Sequence, residues 1–259
     1  MKWSFSKLST FDECPRAFWL TYLQDPPLPQ QDNAWSDYGT LCHALLEEYA
    51  KGELKKEQLV SEFERRYPEA VVHPYPPFPK NYAEKAYAQA IDYFSNFNGF
   101  GDNYEIVSAE EYFEVPVGTY RFVGISDLVL RDKETGGLTV IDHKTKSPSS
   151  MKTDYPLYRN QLYLYALHVR QKYGRWPEKL SFNLIKDPKH SIWETFDIEQ
   201  MNRTIAWATE QIDSILLEDT WAAFRADDIA LGGSTFFCKF ICPVVSFCEE
   251  AKEALSSRT

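Results

Sequence analysis

A chain of 259 residues can bury a full hydrophobic core without staples, and 44% hydrophobic with 15% aromatic residues excludes a largely disordered protein. A formal charge of −10 excludes a protein that coats nucleic acid by bulk electrostatics, because neutralising phosphates takes clustered Lys and Arg. It does not exclude an acidic enzyme whose carboxylates hold a cation that in turn faces phosphate.

Caps and apolar positions at helical spacing run from Ser4 to Leu23, and Pro15 predicts two short helices there rather than one. Pro26-Pro27-Leu28-Pro29 then breaks the chain. Helices are predicted at Ser36–Lys51, Lys55–Arg66 and Ala83–Phe97, with a Pro-rich loop over Tyr67–Lys80. From Tyr104 the period becomes that of strands: Glu105–Val117, Tyr120–Arg131 and Leu138–Thr145, joined into a meander by turns at Val117-Gly118-Thr119 and Asp132–Gly137. Thr145–Thr153, with Ser147-Pro148-Ser149-Ser150, reads as a flexible, exposed loop. A helix over Leu157–Tyr173, strands at Leu180–Ile185 and Ser191–Phe196, and a helix over Ile198–Leu217 follow. The order predicts one α/β domain with a small mixed sheet flanked by helices: a helical part (1–100), an α/β core (101–218) and a cysteine-bearing segment (219–259). Met1–Phe5 leads straight into polar sequence and no apolar run reaches the ~20 residues that span a bilayer, so a soluble, cytoplasmic protein is expected.

The hairpin over Tyr120–Thr145 carries the chemistry. Centring its turn between Glu134 and Thr135 sets Asp127 opposite Asp142, at Cβ separations of roughly 4.5–5.5 Å for such pairs. Period-2 alternation places Lys144 on the face of Asp142. Two like charges facing each other destabilise a sheet, and carboxylates at the ends of apolar strands need a partner: a cation or Lys144. An Asp–Lys ion pair accounts for only two of the three residues. A divalent cation accounts for all of them. Two carboxylates and an imidazole holding Mg²⁺ or Mn²⁺ suit phosphodiester hydrolysis, with Lys144 orienting water and stabilising the extra negative charge of the transition state.

These residues resemble the PD-(D/E)XK nuclease superfamily, in particular its RecB/AddB-type exonuclease branch, which includes CRISPR-associated nucleases. Gly124-Ile125-Ser126-Asp127 resembles the family's G-x-x-D strand and Asp142-His143-Lys144-Thr145 its D-x-K-T strand. Gly39-Thr40-Leu41-Cys42-His43 resembles the G-x-x-x-H element, and Gln161-Leu162-Tyr163-Leu164-Tyr165 the Q-x-x-x-Y motif. The resemblance implies a restriction-endonuclease-like core with His43, Asp127, Asp142 and the backbone carbonyl of His143 as metal ligands, and Gln161 and Tyr165 at the active site. Without it, His43 is as well read as a satisfied histidine and Gln161/Tyr165 as part of an amphipathic aromatic helix. Either Glu110 or Glu111 stands where some members carry a further carboxylate; neither is assigned from sequence.

Cys238-x3-Cys242-Pro243-x4-Cys248, together with Asp12-Glu13-Cys14-Pro15, resembles the family's cysteine elements, whose usual C-terminal spacing is C-x2-C-x5-C, one residue shorter in the first gap. The resemblance implies that Cys14, Cys238, Cys242 and Cys248 hold one [4Fe–4S] cluster; a Zn²⁺ site and buried free thiols are the alternatives. Cys42 is read as a core cysteine. Lys146, Lys152 and Arg159 form a candidate phosphate track, and Phe11, Phe18 and Trp19 are read as core or as a stacking platform. The expected function is a metal-dependent DNA nuclease acting on single strands or free ends in recombination, repair or phage DNA processing. A structure-specific endonuclease and a non-catalytic nucleic-acid-binding module are the alternatives. With no G-x-x-x-x-G-K-[ST] loop, any ATP-driven unwinding falls to a helicase or recombination partner.

Overall fold

The computed structural model describes residues 1–26, 28–75, 80–218, 224 and 237–256, so much of the 219–259 segment read from the sequence, residues 76–79 of the Pro-rich loop and Pro27 lie outside the described residues. Helices come first: α1 (Phe5–Glu13), α2 (Pro15–Phe18) running on into a π-helical turn at Trp19–Leu23, α3 (Ala34–Ala50), α4 (Leu59–Ala70) and α5 (Tyr82–Asn96). Ser4 accepts the Lys7 N–H to open α1. Cys14 breaks the helix in extended conformation, and its sulfur accepts the Ala17 N–H at 3.4 Å to start α2 with Pro15 in the first turn. Asn33 caps α3 by accepting from Trp35 and Ser36. Pro68 does not stop α4, so the predicted loop begins after Ala70.

Next comes a five-stranded sheet in the order β1-β2-β3-β4-β5: β1 (Tyr104–Val117), β2 (Tyr120–Asp132), β3 (Leu138–Lys144), β4 (Lys179–Leu184) and β5 (Ile192–Thr195). The first three strands form the antiparallel meander, β4 runs parallel to β3, and β5 returns antiparallel to β4. A parallel step needs a crossover, and α6 (Pro148–Tyr173) supplies it. Here the predicted loop is corrected. Ser147 accepts the Ser150 N–H as an N-cap and Pro148 occupies the first turn, so the residues that read as flexible open the helix instead. Gly174, at φ +71°, ends it, and α7 (Ile198–Leu217) packs beside it.

Alternation along the strands divides the core. Val129, Val140 and Phe182 belong to the cluster that includes Leu162, Val169 and Ile212 of α6 and α7, whereas Leu128, Leu130 and Ile141 meet Ala50 and Phe100. Each fully buried Leu, Val or Phe contributes about 1.5–3 kcal/mol, which lets this sheet tolerate charged residues at its centre. Phe18, fully buried and stacked on Trp3 at 6.4 Å, is core, and the partly buried Phe11 and Trp19 pack against the same cluster. Cys42 is fully buried, as expected. Among the described residues no helix is long and apolar enough to cross a membrane.

Candidate metal centre

The register over Leu128↔Ile141, Val129↔Val140 and Leu130↔Thr139 sets Asp127 across from Asp142, as the turn predicted. The flanking pairs Ala109↔Leu128 and Glu111↔Ser126 likewise put Glu110 across from Asp127. Three carboxylates thus stand side by side on β1, β2 and β3. Glu110 has φ +46°, a conformation uncommon outside glycine, and its carboxylate lies 3.6 Å from His43 Nδ1. His43, projecting from α3, also lies 3.5 Å from Asp127 Oδ2. One donor atom each from His43, Glu110 and Asp127 falls within 4.8 Å of the other two, a spacing that suits a single cation. The sequence left Glu110 and Glu111 unassigned as the further carboxylate that the resemblance allows; the geometry places Glu110 there.

Glycines let the elements approach. A Cβ on Gly39 would lie 3.4 Å from Thr145 Oγ1, so α3 rests against the end of β3 and His43 reaches the carboxylates. A Cβ on Gly124 would lie 2.6 Å from the Phe113 ring, which itself stacks on His168 at 4.8 Å and meets Tyr165 edge-on at 5.6 Å.

Lys144 Nζ lies 2.6 Å from Asp142 Oδ2 and donates to Gln161 Oε1 at 2.9 Å; Gln161 Nε2 donates to Tyr165 Oη at 2.7 Å. Asp142 is almost wholly buried, and the ammonium is its charged partner there. The ammonium also sits over the Tyr158 ring. His143 donates its backbone N–H to Asp127 Oδ2 at 2.8 Å, while its ring pairs with Asn183 and stacks on Phe100. The structure therefore brings His43, Asp127, Asp142, His143, Lys144, Gln161 and Tyr165 together.

Electrostatics follow from burial. Desolvation, then the neighbouring Asp142 charge, pushes the Asp127 carboxyl up to about 7. Burial opposes protonation of His43, but Glu110, Asp127 and Asp142 outweigh it and raise its pKa. Burial, then the cationic surroundings of His43 and Lys144, holds His143 well below the ordinary imidazole value. Tyr165 is raised by burial and by the two aspartates.

The sequence model of the PD-(D/E)XK nuclease superfamily matches residues 2–249. The chain belongs to this superfamily. Its five-stranded mixed sheet flanked by helices is accordingly the restriction-endonuclease-like fold, and membership implies a metal-dependent nuclease, a class that typically uses Mg²⁺ or Mn²⁺. A crystal structure of SSO0001 is similar at 20% identity over 82% of this chain and 96% of that one, with a TM-score of 0.31, too low to bear on the fold. No curated protein matches the chain.

The remaining candidate residues of this PD-(D/E)XK nuclease lie elsewhere. Arg159 is turned inward: it donates to Glu194 and, at 2.9 Å, to Gln200. Lys146 pairs with Asp154 at 2.6 Å and covers the Tyr158 ring, and Lys152 is exposed on the first turns of α6. Of the three, Lys152 alone lies in the early turns that replace the predicted loop; Lys146 precedes the helix, and Arg159 is engaged with Glu194 and Gln200. Cys14, Cys238 and Cys248 are buried in one cluster with Ala17, Leu20 and Val244, and Cys242 packs against it. Burial first, then the other three cysteines, pushes the Cys242 thiol up to about 12. None of the four forms a disulfide.

Proposed function

We propose that the chain is a RecB/AddB-type DNA exonuclease that hydrolyses phosphodiester bonds of single strands or strand ends. The observation that carries this reading is three adjacent strand carboxylates, Glu110, Asp127 and Asp142, under one histidine. The donor set fits a divalent cation: one donor atom each of His43, Glu110 and Asp127 lies within 4.8 Å of the other two, and burial first, then the adjacent Asp142 charge, pushes the Asp127 carboxyl up. His43, Glu110, Asp127, Asp142 and the backbone carbonyl of His143 would hold Mg²⁺ or Mn²⁺. When bound, the cation supplies Lewis acidity toward the scissile phosphate and lowers the pKa of water.

The protein's own residues do the rest. Lys144 is held between Asp142 and Gln161 with its charge beside the site, where it orients the attacking water and meets the charge that develops on phosphorus oxygens. Gln161 fixes the ammonium and is fixed in turn by Tyr165, which Phe113 buttresses. His143 donates its main-chain N–H to Asp127 and so aims that carboxylate.

The four cysteines suit a second group. Their soft donors, gathered from the two ends of the chain into one buried cluster, support a [4Fe–4S] cluster that ties those ends together; Zn²⁺ is the alternative. The visible absorption of anaerobically purified protein decides: a brown, iron-containing preparation supports the cluster, and a colourless, zinc-containing one overturns it.

The function is tested with end-labelled single- and double-stranded DNA, with free and blocked ends, in Mg²⁺ or Mn²⁺. Degradation from free ends that Asp127→Ala abolishes is expected. Cleavage of blocked or circular substrates would show an endonuclease instead, and equal activity in wild type and variant would leave only a binding module. Recombination or repair with a helicase partner, in the cytoplasm, is the setting this activity suits.

A further inference from the structure

Two clefts meet at Glu110. One, of about 370 Å³, lies beside His43 and Glu47 of α3. The other, of about 530 Å³, follows the backbone of β1 from Ile106 to Tyr112, with Ala50 and Lys51 on its α3 side and Lys172 on its α6 side. Because β1 is the edge of the sheet, its outer side has no strand partner among the described residues. Tyr112 is 57% exposed and its cross-strand neighbour Ile125 is 49% exposed, although both are large and apolar. Each stands two residues along its strand from a carboxylate of the metal centre, Glu110 or Asp127.

We propose that this second cleft carries one nucleic-acid strand away from the metal centre, with a base stacked on Tyr112 beside Ile125 and with Lys51 and Lys172 on the phosphates. The inference rests on the nuclease reading and names its substrate class as single-stranded. Three observations support a single strand as occupant. Glu110, a residue of the candidate metal centre, lines the cleft. Its volume lies in the ~300–1,000 Å³ range of small-ligand sites, room for one or two nucleotides. An exposed aromatic flanked by lysines is the combination that holds single strands without reading their sequence. Lys51 pairs with Glu47 and Lys172 with Glu111, but exposed pairs of this kind are weak, and a phosphate can take over either ammonium.

The test measures binding of a fluorescein-labelled oligothymidylate by anisotropy, with Ca²⁺ replacing the catalytic metal, alongside cleavage in Mg²⁺. Tyr112→Ala is expected to weaken binding about tenfold, as for a lost base stack, and to raise KM with little change in kcat. Tyr112→Phe is expected to bind as wild type does. Lys172→Ala is expected to flatten the salt dependence of binding by about 0.7 in log–log slope, one phosphate's worth on a single strand. A photoreactive 5-iodouracil strand is expected to cross-link to Tyr112 in the unaltered protein, a readout that needs no variant to fold. Wild-type affinity in Tyr112→Ala, with cleavage still abolished by Asp127→Ala, would overturn the inference and leave the nuclease reading intact. Loss of binding in both Tyr112→Ala and Tyr112→Phe would overturn stacking in favour of a hydroxyl contact. Absence of any metal-dependent cleavage by the wild type would bring down the nuclease reading and this inference together.

Discussion

Helix α6 serves two partly or wholly buried carboxylate sites, and they are built on opposite plans. Along one stripe, Tyr155, Arg159 and Tyr163 converge on Glu194 of β5, whose oxygens take Arg159 Nε at 2.8 and 2.9 Å, the Tyr163 hydroxyl at 2.7 Å and the Tyr155 hydroxyl. Burial works against the charged form of Glu194, yet these donors outweigh it and lower its pKa. Along the other stripe, Gln161 and Tyr165 stand beside carboxylates that crowd one another: Asp142 takes the Lys144 ammonium at 2.6 Å, and burial, then Asp142, pushes Asp127 up to about 7. A buried charge with all its partners in the chain is architecture. Three carboxylates gathered on one ammonium and one imidazole suit a cation that the chain does not supply.

Asp127→Asn attacks that contrast most directly: cleavage is expected to fall at least about 10²–10³-fold, as when one group that stabilises transition-state charge is lost, while the melting temperature without divalent cation holds or rises. A steep fall in that melting temperature would show the carboxylates to be structural after all. Titrating Mn²⁺ to ~100 times its dissociation constant is expected to stabilise the wild type by about 2.7 kcal/mol and Asp127→Asn far less, read as the difference in thermal shift. Gly124→Ala, which drives a methyl into Phe113, is expected to cost about 1–3 kcal/mol in denaturant unfolding and to disturb Tyr165 behind the ring.

The smallest effect is expected at the satisfied site. Glu194→Gln is predicted to cost about 1–2 kcal/mol at pH 7, less than a fully buried pair because Arg159 remains partly exposed. The pH dependence has a definite sign. A carboxyl with a lowered folded pKa stabilises the protein above its unfolded value, near 4.3, and that contribution disappears as pH falls through the folded value. The gap between wild type and Glu194→Gln is therefore expected to close in urea melts below about pH 4, and a gap that persists there would assign the effect to packing.

Asp127 and Asp142 were legible because a short hairpin transmits its register from the turn, and the pairs Leu128↔Ile141 to Arg131↔Leu138 keep it without a bulge. Glu110 was not assigned: counting back from the Val117–Tyr120 turn does set it opposite Asp127, since the register shift between Ile106 and Ser108 lies beyond it, but its left-handed φ breaks the alternation that would tell which of Glu110 and Glu111 faces the site. Ser147 and Pro148 illustrate how composition misleads: Ser and Pro mark loops and helix starts alike, and only the cap geometry tells them apart. Arg159 had no sequence signal of its inward turn, since Glu194 lies on a strand that only the crossover brings beside it.

Cys14 opens a helix that precedes the sheet, and the cysteines it packs against follow α7. On a ribosome synthesising at ~5–20 residues per second, the meander and α6 have emerged and have time to pair before Cys238 appears. The cysteine cluster must then close over a body already formed, and a chain released early would expose Cys14, Ala17 and Leu20 as a greasy, oxidisable patch.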